Sequence, residues 1–202
     1  MRRLIFMLAS VLLLVSCIGI DGKMTIRSDG SGVLELTYKI SQTVADLGRS
    51  GADKGPLPLP VSREDFERGI AGVEGVELRS ISRSENETDI TIRAVLAFDS
   101  VESLAKVAAF QEAPPVVAVT GTRHTFTQSI TKTADQPISQ ESLDMLDAFF
   151  DGYSIKLVFE APSAIQSHSL GTLSADKKTL TYTSTVKDLV ISKTDVEMSF
   201  SW

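Results

Sequence analysis

The chain of 202 residues contains one cysteine, Cys17, so it can form no intramolecular disulfide, no thiolate zinc cluster and no Cys-x-x-Cys redox pair. Stability must come from packing. Histidine is nearly as scarce: His124 and His168 are far apart, and neither has a second His, Cys or Glu at metal-ligand spacing. No Gly-x-Ser-x-Gly elbow and no glycine-rich phosphate loop is present, so the usual hydrolase and nucleotide signatures are missing. Positive charge is in deficit, with 20 basic residues against 26 acidic ones, which argues against recognition of nucleic acid or anionic lipid by charge. No apolar run reaches the roughly 18 residues of a membrane-spanning helix. The expectation is a protein without enzymatic activity and without cofactor or metal.

What is present at the N-terminus is ordered. Arg2 and Arg3 precede an almost wholly apolar run over residues 4–15, and Ser16 and Cys17 follow it. That is the charge, apolar stretch and small residue of a secretion signal. As a helix those twelve residues would rise only about 18 Å, too short for a hydrocarbon core of about 30 Å. The four residues Leu14-Val15-Ser16-Cys17 resemble the bacterial lipobox. The resemblance implies that residues 1–16 are removed, that Cys17 becomes the first residue of the mature protein, and that Cys17 is lipidated. One acyl chain binds a membrane marginally and stable attachment takes more than one. The lipobox implies two or three, hence an extracytoplasmic domain held at the cell membrane or the outer membrane. Removing residues 1–16 takes Arg2 and Arg3 but no acid, leaving 18 basic residues against 26 acidic ones and a mature charge of about −8. The 186 residues from Cys17 to Trp202 suit a single domain.

Along that domain the strongest pattern is alternation with period two. Met24 and Ile26, then Leu34, Leu36, Tyr38 and Ile40, flank Ser28-Asp29-Gly30-Ser31-Gly32 and predict a hairpin with a glycine-rich turn. Alternation from about Lys23 leaves a tether of five or six residues after Cys17. Further strands are predicted at Ile90, Ile92, Ala94, Leu96 and Phe98, at Tyr153, Ile155, Leu157 and Phe159, and at Val196, Met198, Phe200 and Trp202. Weaker candidates cover residues 76–83, 116–120, 124–130, 165–170 and 179–184. Three helices have start signals: Ser62 with Asp65, carrying Phe66 and Ile70; Ser100, before Val101, Leu104, Ala105 and Ala108; and Ser139, before Leu143, Leu146, Phe149 and Phe150. The fold class predicted is α+β, mainly antiparallel sheet with about three short helices, in the order ββαββα-ββαββββ.

Residues 48–60, GRSGADKGPLPLP, read as a flexible loop with an extended proline-rich end. Leu57 and Leu59 there tack the loop onto the sheet in the simpler reading; the alternative is insertion into a bilayer or contact with a partner. Glu141, Asp144, Asp147 and Asp151 share one face of the third helix, opposite Leu143, Leu146 and Phe150. A solvated face explains them better than a calcium site, which needs six to eight oxygen ligands usually drawn from a loop. His168 lies on a predicted strand between two serines, where a solvent-facing imidazole is a simpler expectation than a catalytic base. Tyr38, Phe98, Phe126, Phe159 and Phe200 fall on apolar strand faces. They either fill the core, the reading expected for most, or line a ligand cavity.

Beyond the lipobox, a cysteine followed almost at once by a strand, the Asp29-Gly30-Ser31-Gly32 turn, the strand through Tyr38, a short helix and "DITIRAVLAFDSVESLAKV" over residues 89–107 resemble the LppM-type family of bacterial lipoproteins. "YSIKLVFEAPSAIQSHSLGTLSADKKTLTYTS", residues 153–184, is similar too. The resemblance implies an α+β lipoprotein domain that binds lipid or another envelope component, and it brings no catalytic residues. The alternative is a structural or protein-interaction lipoprotein of the envelope.

Overall fold

A computed structural model describes residues 18–42, 60–133, 139–140, 143–144 and 153–202. Cys17, Leu57, Leu59, most of the 48–60 loop and most of the acidic segment lie outside the described residues.

The hairpin forms where the alternation places it. β1 (Ile18–Ile26) pairs antiparallel with β2 (Gly32–Ser41) from Ile18 opposite Ile40 to Ile26 opposite Gly32. Gly30 makes the turn at φ 85°, and Asp29 accepts bonds from the Ser31 N–H at 3.0 Å and hydroxyl at 2.7 Å. These two bonds, led by the hydroxyl, hold the Asp29 carboxyl below its ordinary range. Gly32 is required by close approach: a Cβ there would lie 2.3 Å from Phe98 Cζ and 2.2 Å from the Thr25 carbonyl oxygen. β1 was expected to begin near Lys23 after a short tether. It begins at Ile18, because Ile18-Gly19-Ile20 find partners in β2 whether or not their own alternation is strong.

Next come α1 (Arg63–Ile70), β3 (Val76–Glu85) and β4 (Asp89–Phe98). Ser62 and Asp65 form a reciprocal capping box on α1, and Phe66 is its buried anchor. The helix expected after Ser100 is cut short. α2 (Val101–Leu104) is followed by a 3-10 turn at Ala108–Phe110. Val101, Leu104 and Val107 are buried along this segment, the first two in α2 and the third beyond its end. β5 (Val116–Thr120), β6 (Arg123–Thr131), β7 (Ser154–Glu160), β8 (Ser167–His168), β9 (Thr172–Leu173) and β10 (Thr179–Thr185) follow, then α3 (Val186–Val190) and β11 (Val196–Ser201). The strand expected over residues 165–170 contracts to Ser167–His168. α3 was not expected at all, although Thr185 caps it by accepting from the Asp188 N–H at 3.0 Å. Of the third expected helix, the described residues show a Leu143 N–H to Ser139 carbonyl bond of 3.0 Å, Leu143 packed with Ile155 and Val186, and an exposed Asp144.

The fold is α+β, with a seven-stranded sheet in the order β3-β4-β2-β1-β7-β10-β9 and a four-stranded sheet in the order β5-β6-β11-β8. Every pairing is antiparallel except β1 with β7, which run parallel with Ile20 opposite Ile155 and Met24 opposite Phe159. One apolar row, Leu78-Leu96-Leu34-Met24-Phe159-Leu180-Leu173, crosses all seven strands. Each fully buried aliphatic or Phe side chain in it contributes about 1.5–3 kcal/mol. The four-stranded sheet covers the part of that face nearest Gly32, and α1 covers Tyr38, Ile40, Ile90 and Ile92 nearer Ile18. The opposite face of the large sheet stays polar, with Asp21, Lys23, Glu35, Lys39, Arg93 and Lys156 exposed along it.

Candidate functional site

The aromatic residues that could have lined a cavity fill the core instead. Phe126 of β6 and Phe200 of β11 stack at 5.0 Å, and Phe159 of the larger sheet meets them at 5.1 and 5.5 Å. Trp202 packs against Phe200 at 5.6 Å and stacks on His124 at 5.5 Å, so His124 is a packing partner. Tyr38, Phe98, Phe126, Phe159 and Phe200 are all buried, Phe126 with no exposed surface. Two depressions on the described surface are polar and open. One is bordered by Thr120, Gly121, Arg123 and Gln166, the other by Gly75, Glu77, Arg79 and Asp99; neither reaches the aromatic core.

His168 is exposed on β8, opposite Phe200, and shares no ligand cluster with His124. Among the described residues no three His, Cys, Asp or Glu side chains converge as a metal site would require. Asp144 accepts from the Gln140 side-chain amide at 2.9 Å, while Glu141, Asp147 and Asp151 lie outside the described residues. No described helix is long and apolar enough to cross a membrane.

The candidate region is the end of the large sheet where β1 begins, since Ile18 directly follows the expected lipidation site. The register brings to it the end of β2, the β3–β4 turn, the start of β7 and the end of β10. These are cross-linked. The Asn86 side-chain oxygen accepts from the N–H groups of Thr88 and Asp89 at 2.9 and 2.7 Å. Gln42 donates its backbone N–H to the Thr88 carbonyl at 2.8 Å and its side-chain amide to the Asn86 carbonyl at 2.9 Å. The Tyr153 hydroxyl donates to Asp89 Oδ1 at 2.7 Å, and its ring lies over Gly19, where an added Cβ would meet Tyr153 Cδ1 at 3.4 Å. The first residues of β1 are thus clamped by both neighbouring strands and covered by Tyr153.

α1 is fixed to the same half of the sheet. Burial opposes ionisation of Asp65, but the Ser62 hydroxyl, the N–H groups of Val61 and Ser62 and then the Arg68 guanidinium outweigh it, so its carboxyl stays below the ordinary range. Burial and the Asp65 charge raise the Tyr38 phenol, which stays protonated and donates to the Pro60 carbonyl. Pro60 is the one described residue of the predicted 48–60 loop, and this bond ties it to β2.

α3 extends β10 at this same end. Val186 and Leu189 are buried, whereas Ile191, whose N–H bonds the Lys187 carbonyl at 2.9 Å, is 41% exposed. Sequence reasoning passed over these residues. The signal available was Thr185-x-x-Asp188, a capping spacing before an apolar Leu189-Val190-Ile191. A second exposed apolar feature is β5, the uncharged edge strand of the small sheet, with Val116 52% and Val119 59% exposed.

No protein-family model matches the chain, and no curated protein does. Among solved structures, the NMR structure of the folded domain of LppM from Mycobacterium tuberculosis is similar: 12% identical, with a TM-score of 0.54 over 92% of this chain and 89% of that one. The chain therefore has an LppM-like fold.

Proposed function

We propose that the chain is a bacterial lipoprotein, acylated on Cys17 and held on the extracytoplasmic side of the cell membrane or outer membrane. Its folded domain is a non-enzymatic binding module for lipid or another envelope component. The observation that carries this reading is the continuity between the lipobox ending at Cys17 and a strand whose pairing starts at Ile18: the residue that would be acylated joins the middle of the sheet directly. The LppM-like fold supports it. The packed aromatic core favours a ligand that is met on the surface of the domain, not enclosed within it. A structural or protein-interaction lipoprotein is the second reading, favoured by the β5 edge. Among the described residues no strand pairs with its outer edge, and the exposed Val116 and Val119 suit the addition of a partner's strand.

Cells expressing wild type and Cys17→Ser, labelled with a fatty-acid analogue, test the anchor. Label is expected on wild type alone, with the variant migrating as the larger unprocessed form; equal labelling removes the lipoprotein reading. For the ligand, the soluble domain beginning at Ile18 is expected to retain lipid on purification or take up a fluorescent lipid analogue, with weak dependence on salt. If it does neither and recovers one envelope protein stoichiometrically, the interaction reading replaces it.

A further inference from the structure

We propose that the Ile18 end of the seven-stranded sheet rests on the bilayer, with Ile191 seated among the lipid headgroups, so that the strands rise from the membrane. This rests on the acyl anchor proposed above and adds an orientation and a contact surface to it. A single peptide unit, about 3.8 Å between consecutive α-carbons, joins Ile18 to the residue that would carry the acyl chains. Ile18 is already paired with Ile40, and Tyr153 covers Gly19, so no slack separates lipid from sheet. β1 then runs nine residues to Ile26, which puts the Arg27–Ser31 turn about 27 Å away at about 3.4 Å per residue.

An independent observation marks the same end. Among the described residues three large apolar side chains are exposed, Val116, Val119 and Ile191, and Ile191 is the one that closes α3, the helix that starts from this end of the sheet. Thr185, which opens α3, pairs with Ser154 of β7, and β7 lies next to β1, so α3 stands two strand spacings, about 10 Å, from the anchor line. Val186 and Leu189 buried beneath hold Ile191 outward on a fixed support. Among the described residues, charges of both signs stand at this end. Glu87 and Asp188 face outward with Lys193, Lys187 is half-buried, and Glu85 is paired with Arg83. With no basic cluster among the described residues there, the contact depends on the acyl chains and apolar area, so it forms on zwitterionic lipid and resists salt.

The test uses the full lipidated protein, extracted and reconstituted into phosphatidylcholine vesicles with or without brominated acyl chains, after intact-mass measurement of Cys17 acylation. Trp202, buried at 8% exposure, is a constant background. Three variants place a second indole: Ile191→Trp and Glu87→Trp at the Ile18 end, Ser28→Trp at the far turn. Bromine is expected to halve, to about twofold, the added emission of Ile191→Trp, to reduce that of Glu87→Trp, and to leave that of Ser28→Trp unchanged, at low and high salt alike. Glu87→Trp carries the test if Ile191→Trp does not fold. Acylated protein in which Ser28→Trp is quenched as strongly as the other two, or in which none is quenched, overturns the orientation while the anchor stands. An intact mass without acyl chains overturns both.

Discussion

Phe126→Ala separates a packed domain from a hollow one. Phe126 has no exposed surface and touches Phe159 and Phe200 with ring centroids 5.1 and 5.0 Å away, so it joins the small sheet to the large one. In a packed core, truncating Phe to Ala forfeits transfer energy and leaves a cavity, together about 3–5 kcal/mol. Phe126→Leu keeps most of the apolar area and loses chiefly the two ring contacts, at about 0.5–1.5 kcal/mol each. Urea unfolding of the soluble domain reads this through Trp202, which sits in the same cluster against Phe200 at 5.6 Å. With a slope of about 2 kcal/mol per molar, a loss of 4 kcal/mol moves the midpoint down by about 2 M. A domain enclosing a lipid has room to relax around the lost ring, and its stability rises with free lipid, as ligand linkage requires. A loss below about 1.5 kcal/mol at unchanged slope, with a wild-type midpoint that climbs as lipid is added, would refute the packed core and return the ligand to the interior.

Three further outcomes are expected. A domain beginning at Gly22 lacks Ile18 to Asp21, four positions paired in the centre of the large sheet, and should be less stable than one beginning at Ile18 by at least about 2 kcal/mol in urea, each lost hydrogen bond counting about 0.5–1.5 kcal/mol. Asp65→Asn should cost about 1 kcal/mol at pH 7 through the α1 cap. Because the folded-state Asp65 pKa is depressed, its contribution is present above the ordinary carboxylate pKa of about 3.9 and fades as pH falls through the lower folded value, so the gap between thermal melts of wild type and variant should narrow as pH is lowered through the acid range; a gap that does not narrow contradicts the assignment. Calorimetric titration with Ca²⁺, Mg²⁺ and Zn²⁺ should give no tight binding, and a submicromolar site abolished by Asp144→Asn with Asp147→Asn would make the acidic segment a metal site after all.

Much of the local structure was legible because it is written in local interactions. Gly30 and Asp29 specify the hairpin turn, Ser62 with Asp65 starts α1, and the even-numbered residues from Ile90 to Phe98 face one side without exception. The elements misread were those whose length depends on remote packing. The helix from Ser100 stops after one turn and gives way to a 3-10 turn, and residues 165–170 yield only two strand positions, Ser167 and His168, beside Phe200 and Ser201. The candidate site divides the same way. Cys17 and its flanks are a contiguous motif; Ile191, Tyr153 and Asn86 acquire a common location only when β2, β4, β7 and β10 are laid beside β1.

The sequence by itself determined the class of secondary structure and which face of each strand is apolar, since caps, turns and period-two patterns act within a few residues of themselves. Tertiary structure alone decided that β1 and β7 pair in parallel although their first residues, Ile18 and Ser154, are separated by most of the chain. It also decided that Phe126, Phe159 and Phe200 meet in one solid core, and that no tether intervenes before Ile18. The physical reason is degeneracy. Every strand here with one apolar face can pair with every other, and the partner is selected by how completely two whole faces bury one another, a property that no single segment contains.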